Sequence, residues 1–162
     1  MNHKDGLGSD SVAELETCIK SVDETLDYES AAEAFSALAS IDPPRASRVA
    51  LEILSLKLGD PIFQASAFDK LYLIDQPMAL RYIEEHVDNS DLTIFKEMIE
   101  SVTVDSVVMS EEPEKHPDYF NAVRQIENRI ENGETDLSDR SDSEIARFRK
   151  SVEWFRSSFK VK

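Results

Sequence analysis

The chain has 162 residues, 41% of them hydrophobic and 31% charged, enough for one globular domain that buries a core without disulfides or metals. Asp and Glu number 33 against 18 Lys and Arg, a formal net charge of -15, so a polyanion or an anionic membrane meets repulsion over most of the surface. One cysteine, Cys18, cannot close an internal disulfide, and no Cys/His cluster has the spacing of a structural zinc site.

Met1 to Gly6 is followed by no apolar leader core, and no stretch approaches the roughly 20 uncharged residues a bilayer requires. The expected location is cytoplasmic. The acidity is uneven. Met1 to Pro44 carries 10 acidic and 2 basic residues and Tyr82 to Asp118 carries 11 and 2, whereas Arg45 to Arg81 (4 and 5) and Tyr119 to Lys162 (8 and 9) nearly cancel. The densest negative charge therefore lies in the middle of the chain, as a solvated face or as a patch shaped for a cationic partner.

In chain order, a flexible N-terminus over 1-9 precedes a helix. Ser11 with Glu14 forms a capping box opening it, and Val12, Leu15, Ile19, Val22 and Leu26 form its apolar stripe. Two copies of an internal repeat come next. Ala31 to Leu54 overlays Gln64 to Val87 without a gap, at a spacing of 33, with identities that include Phe35/Phe68, Leu38/Leu71, Ile41/Ile74, Asp42/Asp75, Pro44/Pro77, Ala46/Ala79 and Arg48/Arg81. Each copy reads as helix, tight turn, helix, with Asp capping a second helix whose first turn carries Pro. The repeats extend over about 28-58 and 60-88. A period in the thirties built of paired helices is the pattern of an α-solenoid.

The interhelix Asp followed six residues later by Arg, with the alanine-rich first helix, resembles the HEAT-like repeat families. That resemblance implies an all-α fold, a short right-handed α-solenoid of helical hairpins with capping helices at both ends, forming one domain over 1-162. It also implies that Asp42, Arg48, Asp75 and Arg81 are structural, stacked in a ladder between neighbouring repeats. Asp91 to Phe95 echoes Asp60 to Phe63 as the start of a degenerate third unit, with caps filling 90-162, although Glu97 stands where an Arg is expected.

Val102 to Met109 is rich in β-branched residues and fits a short helix or an extended segment; its helical context favours helix. Ser110 to Lys115 reads as a loop. His116-Pro117 opens a further helix that ends near Asn132, a polar linker covers 132-142, and Ser141 with Glu144 caps the last helix. In that helix Ile145, Phe148, Val152, Phe155 and Phe159 form an aromatic stripe suited to closing the final layer, while Ile145 to Lys162 carries six basic residues and one acidic, placing a basic face near the acidic middle.

No residues assemble into catalytic machinery. The pair Gly6/Gly8 follows no strand, His3, His86 and His116 lack the spacing of a helical metal pair, Cys18 shares a face with Ile19 and Val22, and neither Asp88/Asp91 nor Glu111/Glu112 has an apolar pocket to split its pKa values. The expectation is a protein that is not an enzyme and holds no cofactor or metal. Stacked second helices would present a band: Arg48, Glu52 and Ser55, then Arg81, Glu85 and Asp88. Glu84, Asp91, Glu97, Glu100, Asp105, Glu111 and Glu112 extend it, so the expected partner is a basic protein surface, with no nucleic acid and no membrane, met by a monomer. By size, charge and lack of chemistry the chain looks like the immunity proteins that neutralise basic, nuclease-like bacterial toxins, including those of contact-dependent growth inhibition. A HEAT-like adaptor is the alternative, and a repeat protein binding a small ligand a third.

Overall fold

A computed structural model describes residues 7-133 and 137-159, and among these the regular structure is all helix, with no strand. Residues 1-6 of the expected flexible N-terminus with His3, residues 134-136 of the polar linker and residues 160-162 of the basic C-terminal segment lie outside the described residues. The chain forms two compact units, Met1–Asp75 and Gln76–Lys162. The first repeat copy falls inside the first unit; the second is divided, its first helix in one unit and its second in the other.

The first unit contains α1 (Leu7–Lys20), the single turn α2 (Val22–Thr25), α3 (Tyr28–Ile41), α4 (Pro43–Leu56) and α5 (Pro61–Ile74). Helix starts follow from short acceptors. Asp27, Asp42 and Asp60 each place a carboxylate oxygen on an amide three residues on, at Ser30 (3.0 Å), Arg45 (3.2 Å) and Phe63 (2.8 Å), and proline occupies the first turn of α4 and α5, where its missing N–H costs nothing. Helix α4 ends on Lys57 in the left-handed region at φ 53°; Gly59, in the link to α5, has φ 73°, and a Cβ there would stand 2.6 Å from Phe63 Cδ1, so both backbone and space call for glycine.

Helix α3 packs on α1 and α4, and α4 on α5, around the repeated core residues: Phe35, Leu38, Phe68 and Leu71 are all buried. The expected ladder takes another form. Asp42 caps α4, Asp75 accepts the Ser47 hydroxyl at 3.2 Å, and Arg48 and Arg81 are exposed with no ion pair to a described residue.

Two N-terminal expectations are corrected. Ser11 lies inside α1, because the turn from Leu7 already supplies carbonyl acceptors for its neighbours and leaves no free helix end for a capping box. The helix does not run to Leu26: it breaks at Ser21, whose hydroxyl donates to the Thr17 carbonyl at 2.6 Å, and Leu26 ends α2 at φ 56° with 70% of its surface exposed. Cys18 is half-buried.

The second unit contains α6 (Gln76–His86), a 3₁₀ turn Val87–Asn89, α7 (Leu92–Val104), α8 (Ser106–Glu111), a 3₁₀ turn Pro113–Lys115, α9 (Pro117–Glu131) and α10 (Asp142–Phe159). Most of the stretch expected as a loop, Ser110 to Lys115, is therefore helical or 3₁₀. Asp91 caps α7 through the Thr93 amide (2.8 Å), and the Ser141/Glu144 box forms in both directions, Ser141 N to Glu144 Oε2 at 2.9 Å and Glu144 N to Ser141 Oγ at 3.2 Å.

Helix α9 packs on α6 and α7, burying Tyr119, Ala122, Val123, Ile126 and Arg129. The Tyr119 hydroxyl donates to the Val102 carbonyl, and the Arg129 guanidinium donates to the Val87 carbonyl while lying 4.0 Å from the Phe95 ring centre. Helix α10 lays Phe148, Val152 and Phe155 against α7, with Phe148 and Phe95 centred 5.8 Å apart. The stripe read from the sequence is thus the seam of this unit, and its outer members Ile145 and Phe159 are half-buried.

Candidate functional site

The acidic positions that define the expected band fall in both units. In the first, Glu52 on α4 ends a chain of charges that ties α1 to α4: Arg45 Nε to Glu16 Oε2 at 2.5 Å, Lys20 Nζ to Glu16 Oε1 at 3.5 Å, and Lys20 Nζ to Glu52 Oε2 at 2.5 Å. Burial pushes the Glu16 carboxyl up, but Arg45 and Lys20 outweigh it and hold it below its ordinary value; the hydrogen bond to Glu52 raises the Lys20 ammonium. Glu52 therefore already serves a contact within its own unit.

In the second unit, Arg81, Glu84 and Glu85 are exposed on the outer face of α6, and Asp88 is exposed in the 3₁₀ turn that follows. Glu85 Oε2 is 3.8 Å from His86 Nε2, an ion pair only when the imidazole is protonated, and the His86 ring stacks on buried Tyr82 with centroids 4.4 Å apart. Glu84 and Asp88 have no ion pair with a described residue. Asp91 is drawn inward: it caps α7 and receives Arg140 Nη2 at 2.7 Å. Burial raises its carboxyl, but the Thr93 amide and the Arg140 guanidinium together outweigh that effect and leave it below the ordinary value of 3.8.

Along α7, Glu97 is half-buried, and Glu100 accepts Lys96 Nζ at 2.6 Å and the Ser151 hydroxyl of α10 at 2.6 Å. Basic side chains of α10 stand beside it, for Arg147 and Lys150 line an open groove of about 330 Å³ with Lys96, Glu100, Ser151 and Trp154. Asp105, at the junction of α7 and α8, accepts Gln76 Nε2 at 3.0 Å. Glu112 is held by Lys115 at 2.8 Å, and Glu111 is exposed without an ion pair to a described residue.

Nine of the ten carboxylates thus divide by use, and the tenth, Glu97, is half-buried. Glu52, Asp91, Glu100, Asp105 and Glu112 hold partners within their own units. Glu84, Glu85 and Asp88 form the run that faces solvent, with Glu111 exposed farther along.

The exposed apolar residues were not anticipated. Val104, Val107 and Val108 are 67%, 74% and 65% exposed, although three β-branched residues in a row of helices suggest burial. The available signal was their spacing, which with Glu111 gives i, i+3, i+4 and i+7. A second open groove, about 560 Å³, lies between α9 and α10 against Ile130, Leu137, Phe148 and Val152, with Arg149 and Arg156 among its lining residues. Among the described residues no group of His, Cys, Asp and Glu is arranged to hold a metal ion, and no helix is long and apolar enough to cross a membrane. Comparison with protein-family models, with curated proteins and with solved structures gives no match.

Proposed function

We propose that this is a non-catalytic, cytoplasmic binding protein whose acidic surface covers a basic protein partner, and that it acts as an immunity protein neutralising a basic, nuclease-like bacterial toxin. One observation carries the reading: Glu84, Glu85 and Asp88 stand exposed together, whereas Asp91, Glu100 and Glu112 of the same unit are matched to Arg140, Lys96 and Lys115. A carboxylate face of this kind occupies the positions where a nuclease groove would grip phosphates, and it accelerates encounter with a cationic surface.

The reading includes HEAT-like repeats as the scaffold. It draws support from the α3–α4 hairpin, the shared core positions Phe35/Phe68 and Leu38/Leu71, and the aspartate caps at Asp42, Asp60 and Asp91. An adaptor that holds two proteins is the second reading, favoured by exposed Leu56, Ile62 and Leu73 in the first unit. Stoichiometry separates the two, since an inhibitor saturates at one partner and an adaptor binds two.

The test is protection. The chain is co-expressed with the basic toxin domain encoded beside its gene, and growth rescue is scored for wild type and for Glu85→Lys/Asp88→Lys. Wild type should restore growth and the double variant should not, while its melting temperature stays within the shift of about 0.5 kcal/mol expected for exposed positions. Full protection by the double variant rejects the proposed face.

A further inference from the structure

We infer that the exposed valines at the junction of α7 and α8 are the apolar anchor point for a cationic, amphipathic protein segment; this rests on the reading that the partner is a basic protein. Val104, Val107 and Val108 are each about two-thirds or more exposed: Val104 is the last residue of α7, and Val107 and Val108 are neighbours on the α-helical turn in which the Met109 amide donates to the Asp105 carbonyl at 3.0 Å. Helix α8 has only one buried residue, Ser106, so its apolar side chains are not core residues of their own unit. An element that contributes so little to the interior yet presents adjacent branched side chains to water is suited to burial against something else.

Charge decides what that is. The valines sit between Asp105 on one side and Glu111 and Glu112 on the other, in a window from Tyr82 to Asp118 with 11 acidic and 2 basic residues. A second copy of the chain would set these carboxylates against themselves, and an anionic lipid surface would be repelled by them. A helix or strand that alternates leucine-like side chains with Lys or Arg satisfies both features: its apolar residues cover the valines and its cations reach exposed Glu111. The carboxylates of α6 steer such a partner, and the valines hold it.

The probe is a 14-residue amphipathic peptide of Leu and Lys carrying a fluorescent label, with a Ser-for-Leu version of equal charge as control. Anisotropy is measured against the full chain in roughly physiological salt, where the Debye length is about 8 Å. The Leu/Lys peptide should bind at least about 10-fold tighter than the Ser/Lys peptide, a gap of about 1.4 kcal/mol. Val107→Ser/Val108→Ser, and the shape-keeping Val107→Thr/Val108→Thr, should erase that difference with unchanged circular dichroism and melting temperature. Glu84→Gln/Glu85→Gln/Asp88→Asn should weaken both peptides alike and preserve their ratio.

The inference is overturned if the serine and threonine variants keep the preference for the Leu/Lys peptide, if wild type shows no preference, or if sedimentation finds a wild-type dimer that these variants dissolve. In the first two cases, loss of protection in the Glu85/Asp88 variant would still uphold the acidic-face reading; retention of protection there with a valine-dependent preference would reject that face and leave the valine anchor standing.

Discussion

Asp91 belongs to the expected acidic band, yet its geometry makes it a structural residue, and the two roles predict different mutant behaviour. Its carboxylate caps α7 through the Thr93 amide and pairs with Arg140, with 32% of its side chain exposed. Asp91→Ala removes both contacts: a lost helix cap costs about 1 kcal/mol, and an ion pair this exposed adds about 0.5 kcal/mol. Asp91→Asn keeps an oxygen for the Thr93 amide and loses only the charge, so it should cost about 0.5 kcal/mol. In a chain of this size 1 kcal/mol moves the melting temperature by about 2–4 °C, giving a drop of about 3–6 °C for the alanine variant and about 1–2 °C for the asparagine one. The pH dependence has a definite sign. A carboxyl held below 3.8 in the folded chain stabilises above that pH and loses its contribution as pH falls through its folded value, so wild type and Asp91→Asn should converge in acid. Calorimetry from pH 7 downward reads all three quantities. Equal losses for Asn and Ala would mean that the cap contributes nothing, and a fall in protection without loss of stability would return Asp91 to the interface.

Other consequences concern the interior. Phe35→Ala and Phe68→Ala, at equivalent positions of the repeat and both fully buried, should each cost about 3–5 kcal/mol by urea titration; a cost below 1 kcal/mol at either would break the equivalence of the two copies. Ser101→Ala should stabilise by about 0.5–1 kcal/mol, because the Ser101 hydroxyl is buried inside α7 without a hydrogen-bond partner among the described residues and alanine is the better helix former. Burial raises the Tyr82 and Tyr119 phenols above 10, for Tyr119 with the added repulsion of Asp105. Their contribution to stability is therefore full below pH 10 and declines as pH rises beyond it; absorbance at the tyrosinate band should show late ionisation at these two sites, and Tyr119→Phe should lose about 1 kcal/mol at neutral pH and part of the alkaline decline.

What the sequence displayed were local devices and repeated core positions. Asp42 before two prolines, Ser141 before Glu144, and Phe148, Val152 and Phe155 at helical spacing each state their role within a few residues, and each plays it. The unread features depend on distant partners. Arg129 looks like a surface cation until α9 brings it over Phe95 and beneath the Val87 carbonyl, 42 residues away. Asp91 looks like any exposed acid until Arg140 arrives from 49 residues downstream. Val104, Val107 and Val108 mislead in the opposite direction: apolar type suggests burial, but α8 is too short to bury a face of its own.

The same distinction separates the charges that fold the chain from those available to a partner. A carboxylate that caps a helix or holds an arginine is stabilising where it stands, and turning it toward a partner would forfeit that contact. Glu52, Asp91 and Glu100 are of this kind. Glu84 and Asp88 have no such commitment and Glu85 has only its 3.8 Å contact with exposed His86, so neutralising the three should leave the folded state intact. A binding surface built from side chains the fold does not need can change its partner without unfolding its owner. For that reason substitutions at Glu84, Glu85 and Asp88 should alter association while sparing stability, and substitutions at Asp91 should do the reverse.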